Sequence, residues 1–497
     1  MHQLLRTKSI DRLLEQAEDP ARRLRHVLGP WSLIGLGVGA VIGTGIFVLT
    51  GTAAAGETVT VPSIAKAPVL DLILSGSEVV STFGRPGAGP GIALSFAVTA
   101  LICGFAALCY AELASMIPIA GSAYTYAYAT LGEIVAWIIG WDLILEYGVS
   151  NMAVAVGFSA HLNDVLDSLL GLRLPEALSR PPIVGGEYTG AIFNLPAFII
   201  LMILTVLLVQ GIRESAETNN VMVLIKVSAI LIFVFGAAHA VDTSNYRPFL
   251  PNGFQGMLTG AAIVFFTYIG FDAVSTAAEE CRNPQRDLPI GIVGTLVVCA
   301  LLYVSLAVVL TGMTNWRELS NAAPVVNALK DHGMSSIRRV VGVGAVVGML
   351  SSLMVFQYGQ ARIWFAMSRD GLLPAMFSRV HPKHRTPHIS TWVAGLFVGI
   401  PAGVWDIGTF ADLASIGTLF AFVVVSAGVI ILRRTQPDRK RGFRVPWVPL
   451  VPLVSIASCL LLMLSLPLET WLRFLVWSAI GLVVYWLFGR RHSEFAR

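Results

Sequence analysis

The sequence has 497 residues, 55% of them hydrophobic and only 13% charged, with a mean hydropathy of +0.73. A soluble globular domain carries about 25% charged residues, so the composition excludes an ordinary soluble protein and makes lipid the main solvent. The net charge of +4 calls for no nucleic acid. The absence of polar linkers favours one membrane domain over the several soluble ones that the length alone allows.

The first 30 residues are polar and basic, with Arg6, Lys8, Arg12, Arg22, Arg23 and Arg25. They show no apolar core or cleavage site of a secretory signal, and residues 10–28 have the pattern of an amphipathic surface helix. A spanning helix needs about 20 apolar residues. Twelve stretches qualify, at about 31–55, 89–114, 133–160, 193–212, 217–241, 256–280, 290–312, 340–367, 388–405, 410–432, 446–466 and 471–489. Most of the 34 lysines and arginines fall in 1–30, at Arg213, in 281–289, 368–387 and 433–445, and in the tail. That bias places both termini in the cytoplasm of a multi-pass plasma-membrane protein. Three segments on the opposite side are long (57–88, 161–192 and 313–339) and serve as lids or covers; Pro68–Thr82 has the look of a short surface helix.

Two spans carry signs of a break. In the first, Gly35, Gly39 and Gly43 share a helix face and allow close helix packing. That accounts for those three but not for Gly43-Thr44-Gly45, which favours unwinding because Gly is a poor helix former. Unwound backbone is tolerated in lipid only where it lines a cavity. There, free amides can bind a carboxylate and free carbonyls an ammonium, helped by the positive end of a half-helix. In the sixth span, Gly270 and Asp272 interrupt an apolar run, although Asp272 alone would also serve as a local cap. Breaks five helices apart are the mark of an inverted-repeat transporter.

Lys226 stands in a span otherwise almost free of charge. It either snorkels to the interface or faces a polar interior as a proton carrier or a stand-in for a bound cation. Asp142 and Glu146 share a face of the third span; Glu146, deeper in the apolar run, is the better pocket candidate, and a bridge to a neighbouring helix is the plainer alternative. Glu279, Glu280, Arg282 and Arg286 at one helix end, and Arg362, Arg369 and Asp370 at another, read as an inner gate or a solvated rim. The five cysteines (Cys103, Cys109, Cys281, Cys299, Cys459) have no metal or disulfide spacing. No catalytic set and no Walker-type phosphate loop is present, so the sequence is read neither as an enzyme nor as an ATP-driven pump.

Several stretches together form a family pattern: Gly43-Thr-Gly-Ile-Phe47, Ala106-Ala-Leu-Cys-Tyr-Ala-Glu112, Gly121-Ser-Ala-Tyr-Thr-Tyr126, Gly140-Trp-Asp-Leu-Ile-Leu-Glu-Tyr147, Phe271-Asp-Ala-Val-Ser-Thr-Ala-Ala-Glu-Glu280, Arg282-Asn-Pro-Gln-Arg-Asp287 and Ala366-Met-Ser-Arg-Asp-Gly-Leu-Leu-Pro374. From about residue 25 to 492 the sequence resembles the cationic amino acid transporter family of the amino acid–polyamine–organocation superfamily, especially its bacterial members. The resemblance implies an all-α membrane fold of 12 transmembrane helices. A cytoplasmic segment (1–30) would precede two inverted five-helix repeats (31–241, with the extracellular insertion 57–88, and 256–432). Helices 11 and 12 (446–489) and a cytoplasmic tail (490–497) would follow.

It implies a substrate carboxylate near Gly43, Thr44 and Gly45, and an α-amino group at the carbonyls of Val41, Phe266, Thr267 and Ile269. Glu146 and Phe356 would border the side-chain pocket, with Phe266 as an aromatic gate. Lys226 would occupy the place of a sodium site. The insertion 57–88 is longer than in bacterial relatives, and Thr267 and Phe356 stand where relatives vary, which leaves the preferred amino acid open. The expectation is a proton-coupled amino acid importer that needs no cofactor beyond the proton gradient. An exchanger or facilitator is the first rival and a non-transporting sensor the second. The expected partners are a small-molecule amino acid and the lipid bilayer; a small membrane partner and the oligomeric state are left open.

Overall fold

Apolar runs about as long as a bilayer is thick can satisfy their backbone only as helices, and helices dominate the architecture. The computed structural model describes residues 6–17, 28–57, 64–75, 85–119, 121–184, 187–210, 215–321, 323–384 and 386–493. In chain order the helices are α1 (Ile10–Ala17), α2 (Pro30–Val41), α3 (Thr44–Ala55), α4 (Val69–Ser75), α5 (Ile92–Met116), α6 (Ala123–Thr130), α7 (Glu133–Leu170), α8 (Glu176–Ser179), α9 (Leu195–Gln210) and α10 (Ser215–Ala237). They continue with α11 (Gly253–Val264), α12 (Pro284–Met313), α13 (Pro324–Asp331), α14 (Ser335–Arg369), α15 (His388–Ala402), α16 (Ile407–Thr435), α17 (Leu450–Leu464), α18 (Leu468–Val484) and α19 (Arg490–His492). Among the described residues, eight helical stretches are long and apolar enough to cross a membrane, and the bent pair α2–α3 makes nine; α9, α15 and α17 are shorter apolar helices. The protein is therefore a multi-pass helical membrane protein.

Helix ends differ from the expected ones where a local signal overrides hydropathy. The third span continues past residue 160 to Leu170, although its last turns are polar. It stops there because Gly171 adopts a left-handed conformation (φ 62°) and returns its amide to the Asp167 carbonyl at 3.0 Å, the usual glycine helix stop. The eighth span likewise begins at Ser335 rather than 340. Within Pro68–Thr82 the helix is α4; residues 76–82 lie outside the described residues, as do 18–27 of the expected amphipathic helix, Arg213 and the tail beyond Ser493. The insertion is closed at its base by an antiparallel pair, Gly56–Glu57 against Arg85–Pro86. A second small pair joins Ile183–Val184 to Glu187–Tyr188.

Close packing centres on α2. A Cβ on Gly39 would sit 2.7 Å from Asn219 Oδ1 of α10, so only glycine lets these helices meet there. Both terminal segments lie at one end of the bundle. The Lys8 amide donates to the Tyr128 carbonyl (3.1 Å), and buried Glu133 accepts from Tyr128 (3.2 Å), Tyr485 (2.7 Å) and Ser493.

Candidate functional site

The first break lies between α2 and α3, whose axes differ by 47°. It falls on Ile42 and Gly43, one residue earlier than expected; Thr44 and Gly45 already form the first turn of α3. The reason is the supply of donors. Ile42 (φ −81°, ψ 87°) turns its carbonyl out of the helix, where Lys226 Nζ donates at 2.8 Å and Ser352 Oγ lies at 3.0 Å. The Gly43 amide turns back to the Val41 carbonyl at 3.0 Å. The amides left without a partner inside a helix are therefore those opening α3, Thr44 and Gly45 among them. The Thr44 hydroxyl donates to the Val154 carbonyl of α7 at 3.3 Å.

The second break follows α11. A tight 3-10 turn, Phe265–Tyr268, leads to extended Ile269 and to Gly270 at φ 117°, after which Phe271–Glu280 forms a second 3-10 stretch containing Asp272. A Cβ on Gly270 would lie 2.9 Å from the Ala40 Cβ and 3.3 Å from the Val41 nitrogen; one on Gly45 would lie 2.8 Å from Thr267 Cγ2. The two breaks thus rest directly on each other.

Tyr303 of α12 spans them. Its hydroxyl lies 2.9 Å from both the Val41 and the Thr267 carbonyls. One hydroxyl has one proton to give, so it serves one of those carbonyls at a time; Val41 keeps the Gly43 amide in either case, and the Thr267 carbonyl loses this donor whenever the proton turns to Val41. The Phe266 carbonyl accepts from the Ile269 amide at 3.3 Å. Sequence reasoning missed Tyr303, because a tyrosine in an apolar run is commonplace and its partners are remote in sequence.

Lys226 is fully buried, and its amine turns to the first break rather than to a helix end. It donates to the Gly39 carbonyl at 2.7 Å and the Ile42 carbonyl at 2.8 Å, with Ser351 Oγ at 3.4 Å. A lysine at a helix centre in a bilayer costs about 2.5–3.5 kcal/mol on insertion scales; two backbone carbonyls and a hydroxyl offset part of that. Phe356 packs edge-on against Tyr147 (ring centroids 5.8 Å apart), whose hydroxyl donates to Asp272 Oδ2 at 3.1 Å. Glu146 and Asp142 are both buried, and among the described residues neither carboxylate accepts a hydrogen bond of good geometry. Asp142 lies against Gly417 of α16. Among the described residues no cluster of His, Cys, Asp and Glu is arranged to hold a metal ion.

Beneath the breaks, at the end holding the terminal segments, the charged residues are paired across elements. Glu280 accepts from Arg362 (2.6 Å) and from the Tyr358 hydroxyl, Glu279 faces Arg369 (3.9 Å), and Asp370 takes Lys8 (2.9 Å) and the Tyr124 hydroxyl (2.6 Å).

The chain is thus a multi-pass helical membrane protein in which two broken helices rest on each other and a buried lysine holds the first break. Residues 28–488 match the amino acid permease family, and the chain belongs to that family. It is 46% identical over 493 residues to the branched-chain amino acid permease BcaP of Bacillus subtilis, covering 99% of this chain and 98% of that one. It is 43% identical to the methylthioribose transporter of the same organism, covering 99% of each. It is 34% identical to the chloroplastic cationic amino acid transporter 9 of Arabidopsis thaliana, covering 94% and 88%. These relatives are permeases and transporters, not enzymes.

Proposed function

We propose that this chain imports amino acids across the plasma membrane by alternating access, driven by proton symport, with both termini in the cytoplasm. On this reading the nine long or bent spans and the three shorter apolar helices make twelve crossings. The first ten form two inverted five-helix units with their breaks at matching positions, and α17 and α18 follow. The substrate carboxylate meets the amides that open α3, where the helix dipole adds positive charge. The ammonium meets whichever of the Val41 and Thr267 carbonyls does not take the Tyr303 proton, and the carbonyls of Phe266 and Ile269. The side chain points toward Phe266, Phe356 and Glu146. The aromatic lining and the relative named for branched-chain amino acids support a neutral, apolar substrate ahead of a cationic one.

The observation that carries the proposal is the grip of Lys226 on the Gly39 and Ile42 carbonyls. A protonated amine ties α2 to α10 and α14. Loss of the proton weakens both bonds and loosens the hold on α2. Because the amine is well partnered, it would also serve as a fixed substitute for a cation, which supports obligate exchange as a second reading.

The test is uptake into proteoliposomes of labelled leucine, alanine, arginine and methylthioribose under an inward proton gradient, for the wild type and Lys226→Ala. Accumulation of leucine that collapses with a protonophore and is lost in Lys226→Ala is the expected result. Uptake that needs internal amino acid and ignores the gradient would replace symport by exchange. Uptake of methylthioribose alone would overturn the substrate assignment.

A further inference from the structure

Lys226 meets the break in company. Ser351 and Ser352 come from α14, and Asn219 lies two turns before Lys226 on α10; none is more than 2% exposed. Their hydrogen bonds can be assigned by counting donors. The Gly39 carbonyl has two lone pairs and two short donors, Lys226 Nζ at 2.7 Å and Ser352 Oγ at 2.8 Å. Ser351 Oγ reaches that carbonyl only at 3.3 Å, whereas Asn219 Oδ1 lies 2.9 Å from it. The Asn219 amide cannot be reversed without loss, because its Nδ2 donates to the Gly35 carbonyl at 3.1 Å. The Ser351 proton therefore belongs to Asn219, and the face that Ser351 turns to Lys226 is a lone pair.

A lone pair suits an ammonium, which has three protons to place: on Gly39, on Ile42 and on Ser351. A neutral amine has two N–H groups for the carbonyls and then presents a lone pair of its own. Two lone pairs would face each other unless Ser351 rotates its proton away from Asn219.

We propose that Asn219 and Ser351 are positioning residues that set how readily Lys226 gives up its proton. Asn219 holds Ser351 as an acceptor, which favours the charged amine. Release of the proton requires the Ser351 hydroxyl to switch from Asn219 Oδ1 to Nζ. This rests on reading Lys226 as the proton carrier. Among the described residues, the other titratable group near Lys226 is the Cys299 thiol of α12. The helix α2 carries no titratable side chain; on α14, Arg338, Arg339, Arg362 and Arg369 lie toward the ends, and the Tyr358 hydroxyl, two turns beyond Ser351, donates to Glu280.

The experiment measures the external pH at half-maximal leucine uptake in proteoliposomes at fixed internal pH. Asn219→Ala and Ser351→Ala should each move that midpoint down by about half a pH unit, about threefold in proton affinity. The double variant should move it no further than Ser351→Ala, because Asn219 acts through Ser351. Ser351→Thr, which keeps the hydroxyl, should restore the wild-type midpoint. A lower maximal rate with an unmoved midpoint would reduce both residues to a structural role, and additive shifts would overturn the relay. Ser351→Cys carries the test if the alanine variants do not fold. Lys226→Ala separates the two claims. Where it does not transport, leucine binding to purified protein is followed against pH. A wild-type pH dependence in Lys226→Ala sinks the carrier reading. A dependence lost there but unmoved in the Asn219 and Ser351 variants sinks only this inference.

Discussion

A carbonyl released from a helix inside a membrane must find a donor in the protein, because lipid offers none. Val41 and Thr267 share the hydroxyl of Tyr303. Tyr303→Phe removes that donor with almost no change of shape and leaves a buried carbonyl short by one bond, a cost of about 1–3 kcal/mol. Leucine uptake should fall by an order of magnitude or more while the protein stays monodisperse; uptake at the wild-type rate would show that the hydroxyl positions nothing. Gly270 has a backbone reason to be glycine, since φ 117° is barred to ordinary side chains and the neighbouring Ala40 leaves no room for a Cβ. Gly270→Ala should lower the melting temperature and abolish transport together, as read by a thermal-shift assay and by uptake. Lys226 and Gly270 were legible in the sequence because a charge or a glycine in an apolar run breaks a pattern. Tyr303, Ser351, Ser352 and Asn219 were not. Hydroxyls and amides are ordinary in such runs, and their partners lie on other helices, remote in sequence.

At the scale of elements, hydropathy located the membrane helices but not their ends, which are set by caps and by contacts with other segments. The course of residues 6–17 was hidden for the same reason. Ile10 and Leu13 are buried, and Lys8 is drawn under the bundle to Asp370. That ion pair is buried on both sides, with side-chain exposures of 1% and 6%. Removing one partner of such a pair leaves the other charge buried with less compensation, at a cost of up to about 3–5 kcal/mol. Asp370→Ala should therefore lower thermal stability sharply, and Lys8→Ala combined with Asp370→Ala should recover part of the loss; a double variant no better than the single would argue against coupling. The same segment has a tie in solvent, where the Arg439 guanidinium holds the Asp11 carboxyl below the usual carboxylate range. A depressed folded-state value means that the tie is present at neutral pH and is lost as pH falls through the carboxylate range. Protection of the amides of residues 10–17, as the exchange rate relative to the intrinsic rate at each pH, should fall below about pH 4, and added salt should weaken the tie already at neutral pH.

At the scale of the molecule, the insertion between α3 and α5 is fastened to distant parts of the chain. Arg85 pairs with Asp412 of α16 at 2.9 Å. The Val69 amide donates to the Leu466 carbonyl, and the Leu468 amide donates to Ala67. Arg85→Ala should raise hydrogen exchange in α4 without changing that of α6 at the opposite end. The insertion's length was visible in the sequence, but its anchoring was not, since each anchor joins residues hundreds of positions apart. The opposite end has its own junction. There Gly371 packs on the His492 carbonyl, and Ser493 reaches Glu133, close to where Lys8 meets Asp370. A fluorescent reporter joined rigidly at Ser493, in place of residues 494–497, would be coupled mechanically to the loop that follows α14. Its emission should vary with turnover when leucine is supplied, whereas the same reporter on a long flexible spacer should stay silent.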